Sequence, residues 1–385
     1  MEKHTMNEGK PMKSNRPDIL LCFTDGNELH IAIGALILKP MREIVLIAQD
    51  LPSDYTESIE SLLKDKGVRC PITLRDNYRT EDRREGRVAL LVNHCTHLLE
   101  YKILFEEVKN GGVLYFADVT EGEVYSLESG DMMPVEGGPV ELEVDEVLEM
   151  EGFNIEKSTE DLMNSQGMSD LIEFIQEDTH RWDDLRHLMK NNTLPNGDWL
   201  QFGNRLKVEY TEDSPMGSFV AFLEKRGYIK ERIVTRNRIH LKIPDNTVRS
   251  FIQTTGLWLE ALTYRTIHGL PFIDDTKAAV RFLWGHAPCG VVNEIDVMAT
   301  SDSRMIFISC KDIDNPSTSM LNELEVYAQR IGGSQGIKLM ITSKKPHSHH
   351  FFERAKAMGI HIVWWGHDIK AFTDVLNTVL TRELN

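Results

Sequence analysis

The chain has 385 residues, of which 41% are hydrophobic and 27% charged, and its formal net charge is −17 at pH 7. This composition is that of a globular protein long enough for two or three domains, and no apolar run reaches the roughly 18 residues of a membrane-spanning helix. The five cysteines form no CxxC pair, which argues against a zinc site or disulfide framework and predicts a cytoplasmic protein. The polar segment 1–17 lacks the apolar stretch of a secretory signal, and we expect a disordered tail there.

The first predicted domain, residues 18–158, alternates apolar strands with helices. The predicted strands and helices, in chain order, are Asp18–Thr24, helix Asn27–Leu38, Glu43–Gln49, helix Ser53–Lys66, Cys70–Arg75, Arg87–Asn93, helix Thr96–Asn110 and Val113–Ala117. This order favours a parallel sheet with helices on both faces, a Rossmann-like domain. The acidic stretch that follows alternates polar and apolar residues at 122–127 and 141–144, which predicts edge strands.

Two loops follow the carboxyl ends of predicted strands, where ligands bind in such folds. One contains Thr24, Asp25, Gly26 and Asn27, and the other contains Asn93, His94, Cys95, Thr96 and His97. Small polar groups at helix N-termini suit phosphate or ribose, whereas the lack of a G-x-G-x-x-G pattern argues against a dinucleotide. The alternative is structural: Thr24 and Asp25 would only cap the next helix, and the two histidines would be polar loop residues.

Residues 159–245 predict a helical, winged-helix-like linker. A helix over Phe219–Ile229 is followed by two short strands, Glu231–Thr235 and Ile239–Ile243. Residues 225–249 hold eight basic and two acidic side chains, a surplus that could attract a phosphate backbone although the whole chain is acidic. The alternatives are a solvated charged surface and a spacer between domains.

The last predicted domain, residues 246–385, combines strands and helices in a mixed sheet. The predicted elements are helix Thr255–Tyr264, strands near Ala279–Trp284, Val291–Ala299 and Arg304–Lys311, helix Thr318–Ile331, strand Ile337–Thr342, helix Ser348–Met358 and strand His361–Trp365.

Two of these strands predict a hairpin with chemically active side chains. Thr300–Ser303 has turn composition, and side chains alternate across a strand, so Glu294 and Asp296 share one face of the first strand. Ser309 and Lys311 share one face of the second. Carboxylates beside an ammonium can hold a divalent cation and stabilise phosphoryl charge, which is the chemistry of phosphodiester cleavage.

The order of these motifs resembles a known nuclease superfamily. The motifs are Thr255-Gly256-x-Trp258-Leu259-Glu260, Asn293-Glu294-Ile295-Asp296-Val297, Ser309-Cys310-Lys311, and Leu324-Glu325 followed by Gly332-Gly333. They resemble the PD-(D/E)xK restriction-endonuclease-like superfamily, and within it the CARF-domain nucleases of type III CRISPR systems, the Card1-like family. The resemblance implies a homodimer whose sensor domains bind a cyclic oligoadenylate and activate a Mg²⁺- or Mn²⁺-dependent nuclease of antiviral defence, acting on DNA, RNA or both.

The resemblance also implies roles for individual residues. Glu260 and Asp296 would hold the metal together with the main-chain carbonyl of Cys310. Lys311 would orient the attacking water and stabilise negative charge. The loops at 24–27 and 93–97 would line the ring-shaped nucleotide.

The sequence departs from the family pattern at two places. Ser309 stands where the E-x-K pattern has a carboxylate, and a hydroxyl is a weaker ligand for a hard cation, so Glu294 or Glu325 would substitute. The loop at 93–97 lacks the glycine-rich Thr-Gly-Gly-Thr-Lys type of sequence, and His94 and His97 would narrow a nucleotide cleft. Two other hypotheses follow: a catalytically impaired sensor that binds nucleic acid or a partner without cleaving it, and a small-molecule Rossmann enzyme with an added domain.

Overall fold

A computed structural model of the chain describes residues 16–24, 29–48, 55–75, 78, 85–93, 98–128, 131–203, 211–235, 238–283 and 292–384. Most of the predicted N-terminal tail, residues 1–15, lies outside these ranges. None of the helices in the described ranges is long and apolar enough to cross a membrane.

The first sheet has seven strands within the described residues, in the order β3-β2-β1-β4-β5-β6-β7. Strands β1 to β5 pair in parallel, and the last two are antiparallel additions at the edge. Its elements are β1 Ile19–Phe23, α1 Leu29–Leu38, β2 Glu43–Ile47, α2 Tyr55–Asp65, β3 Ile72–Arg75, β4 Val88–Leu91, α3 Leu98–Lys109, β5 Val113–Asp118, β6 Glu123–Glu128 and β7 Asp131–Pro134.

Helix α1 is buried along its whole length. Its ten residues are apolar except for His30, and a helix that is apolar all round requires cover on every side. Gly34 allows the closest approach, since a Cβ there would lie 2.9 Å from the side chain of Leu91. The helix therefore packs against its own sheet and belongs to a larger core shared with the C-terminal part of the chain.

One predicted edge strand is wrong. Residues 141–143 are irregular, and α4, Val144–Met150, begins where the strand was expected. The main-chain N–H of Glu143 donates to the Glu146 side chain (2.9 Å), which stabilises the start of the helix. Val144, Val147 and Leu148 are buried at the spacing of one helix face. The four residues 141–144 are too few to show this helical period.

The middle of the chain contains a small antiparallel sheet with the order β11-β12-β10-β9. Helix α8 leads into the β11–β12 hairpin, as the winged-helix-like prediction requires. The elements of this region are β8 Asn154–Lys157, α5 Glu160–Met163, α6 Gln166–Glu177, α7 Thr179–Asn192, β9 Thr193–Asn196, β10 Trp199–Phe202, α8 Pro215–Lys225, β11 Glu231–Thr235, β12 Arg238–Lys242 and α9 Asn246–Gln253.

Acidic neighbours offset much of the basic charge predicted at 225–249. The ion pairs are Arg226 with Asp170 and Glu173, Arg232 with Glu224, Lys242 with Glu231, and Arg249 with Asp198, at 2.7–3.0 Å. These four side chains fit the solvated-surface interpretation better than a nucleic-acid patch. Arg236 lies outside the described residues.

The C-terminal part forms a six-stranded mixed sheet in the order β17-β16-β15-β14-β13-β8. Its elements are α10 Leu257–His268, β13 Asp275–Leu283, β14 Val292–Ser301, β15 Arg304–Lys311, α11 Thr318–Gly332, β16 Ile337–Thr342, α12 His349–Ala357, β17 Ile360–Trp364 and α13 Ile369–Leu384. Strand β8 pairs with β13, so residues 154–157 extend this sheet although they precede the predicted boundary at residue 158. The boundaries themselves remain predictions.

The six-stranded sheet separates two hydrophobic cores. One face packs with α10, α13 and the linker helices, around residues such as Val297 and Ile308. The other packs with α11, α12 and the first domain, around Met298 and Phe307. The predicted fold class is therefore confirmed: an α/β protein with a Rossmann-like N-terminal domain, a winged-helix-like linker and a mixed C-terminal sheet.

Candidate active site

The β14–β15 hairpin turns at Asp302 and Ser303, and Asp302 adopts the left-handed conformation (φ 52°). Among the described residues, pairing between the two strands runs from the turn to Val297 and Ile308. Asp296 lies one residue beyond this paired region. Its side chain therefore stands at the open end of the hairpin, facing the last residues of β15.

The carboxylate of Asp296 binds these last three residues of β15. Its Oδ2 accepts hydrogen bonds from the Ser309 hydroxyl (3.2 Å), the Cys310 main-chain N–H (2.6 Å) and the Lys311 ammonium (3.1 Å). All three donors go to Oδ2, and no described residue donates to Oδ1. The geometry fixes the carboxylate and leaves one oxygen for a further ligand.

The alternation of side chains between the two faces of strand β13 is broken opposite Asp296. Ala279 has a positive φ of 46°, and the flanking residues Ala278 and Val280 pack into different cores. Their partners on β14 also pack into different cores, Val297 into the core that contains Ala278 and Ile295 into the core that contains Val280. Strict alternation is therefore interrupted at Asp296, which is why a carboxyl side chain in an apolar strand reaches the edge of the core.

Glu260 enters the site from the first turn of α10. Gly256 precedes this helix in the left-handed conformation (φ 95°), which favours glycine, and a Cβ there would lie 3.8 Å from Glu260 Oε1. The half-buried carboxylate makes no hydrogen bond or ion pair with the described residues. Burial, followed by the negative charges of Asp296 and Glu294, raises the pKa of Glu260 from its ordinary 4.5 to about 8, although Lys311 opposes this shift.

Lys311 is held in its charged form. Burial lowers the pKa of its ammonium, but the charge of Asp296 and the hydrogen bond to it outweigh burial, so the pKa lies above its ordinary 10.5. The neighbouring thiol of Cys310 is buried, and burial together with the nearby carboxylates raises its pKa well above 9.0. A thiolate nucleophile at Cys310 is therefore disfavoured, which weakens the small-molecule-enzyme hypothesis.

The two candidate substitutes for the missing carboxylate are placed differently. Glu294 pairs with Arg281 (2.8 Å) and lies near enough to act on the pKa of Glu260. Glu325 pairs instead with the buried Lys338 (2.6 Å), and its second oxygen accepts from Gln329. Glu294 thus lies beside the site, whereas Glu325 neutralises a lysine of β16.

Two groups near the site were not among the predicted residues. Glu323 adds to the negative charge that raises the pKa of Lys311, and it accepts a hydrogen bond from Tyr327 (3.0 Å). Residues two positions apart do not share a helix face, so Glu323 and Glu325 point in different directions. Only the position of α11 relative to the sheet decides which of the two lies near Lys311. Asp312, next to Lys311, is buried and binds both Arg186 and the indole N–H of Trp258 (3.0 Å).

The predicted ligand loops of the first domain are described only at their ends. Thr24 is buried after β1, and its N–H donates to the carbonyl of Ile47. The amide side chain of Asn93 bridges to β5, donating to the carbonyl of Ala117 and accepting from its N–H. Asp25, Gly26, Asn27, His94, Thr96 and His97 lie outside the described residues.

The donor set is compatible with a hard divalent cation, although it is small. No group of three or more His, Cys, Asp or Glu side chains in the described ranges is arranged to hold a metal ion. Two carboxylates and a main-chain carbonyl nonetheless suit Mg²⁺, which keeps several waters and needs only one or two carboxylates. Within the described residues, Glu260 has no hydrogen-bond or ion-pair partner and Oδ1 of Asp296 has no donor, and these two observations support this fit.

The chain is similar to one family model and to solved structures that share its fold. The family model described as "Card1-like, endonuclease domain" matches residues 245–377. The crystal structure of protein VC1899 from Vibrio cholerae aligns with TM-score 0.71 and 14% identity, covering 94% of this chain and 97% of that one. Can2 from Sulfobacillus thermosulfidooxidans, solved with cyclic tetra-adenylate, aligns with TM-score 0.66 and 14% identity, covering 95% and 97%. No curated protein sequence matches the chain.

Proposed function

We propose that this chain, whose residues 245–377 match the model of a Card1-like endonuclease domain, is a divalent-metal-dependent nuclease activated by a cyclic oligoadenylate. The domain match supports the resemblance drawn from the helix, hairpin and lysine motifs. The observation that carries the proposal is the open end of the hairpin. There Asp296 binds Lys311 at 3.1 Å beside the carboxylate of Glu260, which has no partner in the part of the chain that the structure describes.

Glu260, Asp296 and the carbonyl of Cys310 would hold Mg²⁺ or Mn²⁺. A cation there would polarise a phosphoryl oxygen and promote ionisation of an attacking water. It would also offset the burial and the negative charges of Asp296 and Glu294 that together raise the pKa of Glu260, so a cation would favour the ionised form of this carboxylate.

Each protein group then has a distinct task. The N–H of Cys310 and the hydroxyl of Ser309 orient the Asp296 carboxylate. Lys311, charged and half-buried, stabilises negative charge on the phosphoryl group and orients water. Glu294 supplies extra negative charge near Glu260 in place of the carboxylate expected at position 309.

The Rossmann-like domain is the proposed activator site. A parallel sheet binds ligands beyond the carboxyl ends of its strands, where Thr24 and Asn93 lie after β1 and β4. Can2, which shares this fold, binds cyclic tetra-adenylate. We therefore assign the loops 24–27 and 93–97 to a cyclic oligoadenylate.

The first domain also presents a surface suited to a second copy. Tyr101, Phe105 and Val108 lie on one face of α3, and their exposed fractions are 55%, 63% and 43%. Apolar side chains at i, i+4 and i+7 in an exposed stripe are typical of helix-mediated association. This supports the proposed homodimer.

The test is a cleavage assay with purified protein. Cyclic tetra- or hexa-adenylate with Mn²⁺ or Mg²⁺ should lead to degradation of a plasmid or of single-stranded DNA or RNA, and omission of either component should prevent it. Asp296→Asn is the inactive control, and Lys370→Gln, on the exposed surface of α13, is the matched active control. Intact substrate with every ligand and both metals would contradict the proposal.

A catalytically impaired sensor is the second candidate. Ser309 supplies a neutral hydroxyl, and Lys311 already occupies Oδ2 of Asp296. Such a protein would bind nucleic acid or a partner without cleaving it, and it would show no divalent-cation binding that depends on Asp296.

A further inference from the structure

Three strands of the C-terminal sheet end side by side next to the candidate active site. Strands β15, β16 and β17 are parallel, and their register aligns Lys311 with Thr342 and Thr342 with Trp364. Neighbouring strands lie about 4.8 Å apart, so the backbone of Trp364 is about 10 Å from that of Lys311. Aligned side chains share one face of a sheet, and here it is the face of Phe307 and Met340, which packs with α11 and α12.

Trp364 is exposed at the end of this row. Its exposed fraction is 38%, whereas the next residue, Trp365, is fully buried in the core on the other face. The ammonium of Lys345 lies 5.1 Å from the centroid of the Trp364 ring. A cation beside an accessible aromatic ring matches the two parts of a nucleotide, since the phosphate needs positive charge and the base needs a surface for stacking.

The segment between β16 and α12 supplies the positive charge. Residues 344–350 contain two lysines, three histidines and no acidic residue. Lys344 pairs with Asp314 at 2.8 Å. Lys345 is exposed and forms no ion pair with any described residue, so its charge is available to a ligand. This segment follows the carboxyl end of β16, and ligands of α/β sheets bind beyond the carboxyl ends of the strands.

A lysine beside a tryptophan is common in proteins and does not by itself indicate a site. The linker sheet contains a second such pair, in which Lys242 lies 5.7 Å from the ring centroid of Trp199. There the lysine also pairs with Glu231 at 3.0 Å, which neutralises its charge. The pair at β17 differs in two respects, since its cation is not neutralised by a described residue and its ring is aligned with Lys311.

We propose that the carboxyl ends of β15, β16 and β17 form a binding surface for a single-stranded nucleic acid, with a base stacked on Trp364 and its phosphate at Lys345. The strand would continue along the row to Lys311, where the scissile phosphate lies. A base can stack on a protein ring only when it is not paired in a duplex, so the surface favours single strands. Identifying this strand as the substrate rests on the proposed nuclease function, whereas the binding surface itself does not.

The variants separate stacking, charge and general effects on folding. Trp364→Ala removes the ring, and Trp364→Phe keeps an aromatic ring that can still stack. Trp199→Ala is the matched control, because it removes a ring with the same type of lysine contact from another sheet. Lys345→Gln removes the unpaired cation, and Lys370→Gln is its control on the exposed surface of α13.

The first experiment measures binding without cleavage. The Asp296→Asn protein, in chelator and with or without cyclic tetra-adenylate, is titrated with a single-stranded oligonucleotide and with an abasic strand of equal length. Trp364→Ala in this background should weaken binding of the oligonucleotide about tenfold or more and leave the abasic strand unaffected, and Trp364→Phe should restore most of the affinity. Lys345→Gln should reduce the slope of log K against log salt by about 0.7. Both controls should bind as the parent protein does.

The second experiment measures cleavage of the same oligonucleotide by the activated protein with Asp296 intact. Trp364→Ala should raise KM about tenfold and change kcat little, because stacking away from the scissile phosphate contributes equally to substrate and transition-state binding. A duplex of the same sequence should be bound more weakly than the single strand by the parent protein, and Trp364→Ala should reduce that difference.

Each other result has a defined meaning. Equal affinities of Trp364→Ala and Trp199→Ala for both strands would overturn the surface. An equal loss for the normal and the abasic strand would overturn stacking, and an unchanged salt slope in Lys345→Gln would overturn the phosphate contact. Ring-dependent binding together with intact substrate would contradict the nuclease proposal and leave the surface. Cleavage with an unchanged KM in Trp364→Ala would contradict the surface and leave the nuclease.

Discussion

Asp296 and Glu260 act on each other through space although they come from a strand and a helix that are 36 positions apart in the chain. After burial, the charge of Asp296 is the largest cause that raises the pKa of Glu260 to about 8. Removing the proton from Glu260 is therefore unfavourable in the absence of a cation. The consequences of this arrangement can be measured without knowing the substrate.

The stability of the metal-free protein should fall as pH rises from about 4.5 to about 8. Over this range the folded state retains a proton on Glu260 that the unfolded state has lost, so stability decreases with pH and levels off above the folded pKa. Glu260→Gln should remove this decrease and make the protein more stable at pH 8. Denaturant titrations with a chelator at pH 5, 6.5 and 8 measure the effect.

The matched control for this experiment is Glu60→Gln, which changes an exposed carboxylate on α2. It should leave the pH dependence as in the wild type. A wild-type stability that is flat or rising between pH 5 and 8, with the same profile in Glu260→Gln, would contradict the assigned pKa.

Loss of the Lys311 charge should reduce cleavage strongly without unfolding the protein. Lys311→Met keeps much of the side-chain length but removes the ammonium that neutralises Asp296 and the phosphoryl group, and cleavage should fall on the order of 10²–10³-fold. Single-turnover cleavage rates at saturating metal measure this. Wild-type rates in Lys311→Met would exclude a role for this ammonium in the chemical step.

Glu294 and Glu325 should have separable effects. Glu294→Gln should weaken divalent-metal binding on the order of tenfold, because its charge reaches Glu260. Glu325→Gln should leave metal binding unchanged but destabilise the fold by about 1–3 kcal/mol, because it leaves the buried Lys338 without its ion pair. Metal titration and denaturant unfolding of both variants distinguish the two residues, and the reverse pattern would identify Glu325 as the substituting ligand.

Ser309 should be dispensable, and a carboxylate in its place should strengthen metal binding. Ser309→Ala removes one 3.2 Å hydrogen bond to Asp296, while the Cys310 N–H and Lys311 still hold that side chain. Cleavage should therefore fall less than about tenfold.

Ser309→Glu should bind Mn²⁺ more tightly but lower the stability of the metal-free protein, since it adds negative charge beside Asp296. Weaker metal binding in Ser309→Glu would refute this explanation.

Much of the fold could be predicted because its signals are local. The strand Arg304–Lys311 was predicted with its observed bounds, because an apolar run between a turn and a charged segment is unambiguous. Helix α7 falls within the helical linker predicted at 159–245, whereas helix α13, Ile369–Leu384, and the strands β9 and β10 are absent from the prediction, because their short or weakly apolar sequences give little local signal. The strand predicted at 141–144 is wrong because four residues that alternate between polar and apolar do not distinguish a short strand from the start of a helix.

The site was only partly predictable, for geometric reasons. The sequence motifs indicated Asp296 and Lys311, and their contact follows from hairpin pairing. The role of Asp312 could not be predicted, since its partners Arg186 and Trp258 come from helices 126 and 54 positions away. Likewise, no local pattern distinguishes Glu323 from Glu325; the register of α11 against β15 and β16 decides which one faces Lys311.

The central claim is that Glu260 and Asp296 together hold one divalent cation, and calorimetric titration of Mn²⁺ tests it most directly. At pH 7.5 the wild-type protein should bind one ion per chain with release of a proton, and Glu260→Gln and Asp296→Asn should each abolish that binding while Glu60→Gln retains it. Mn²⁺ binding that is the same in wild type, Glu260→Gln and Asp296→Asn would contradict the account, as would the absence of binding in the wild type.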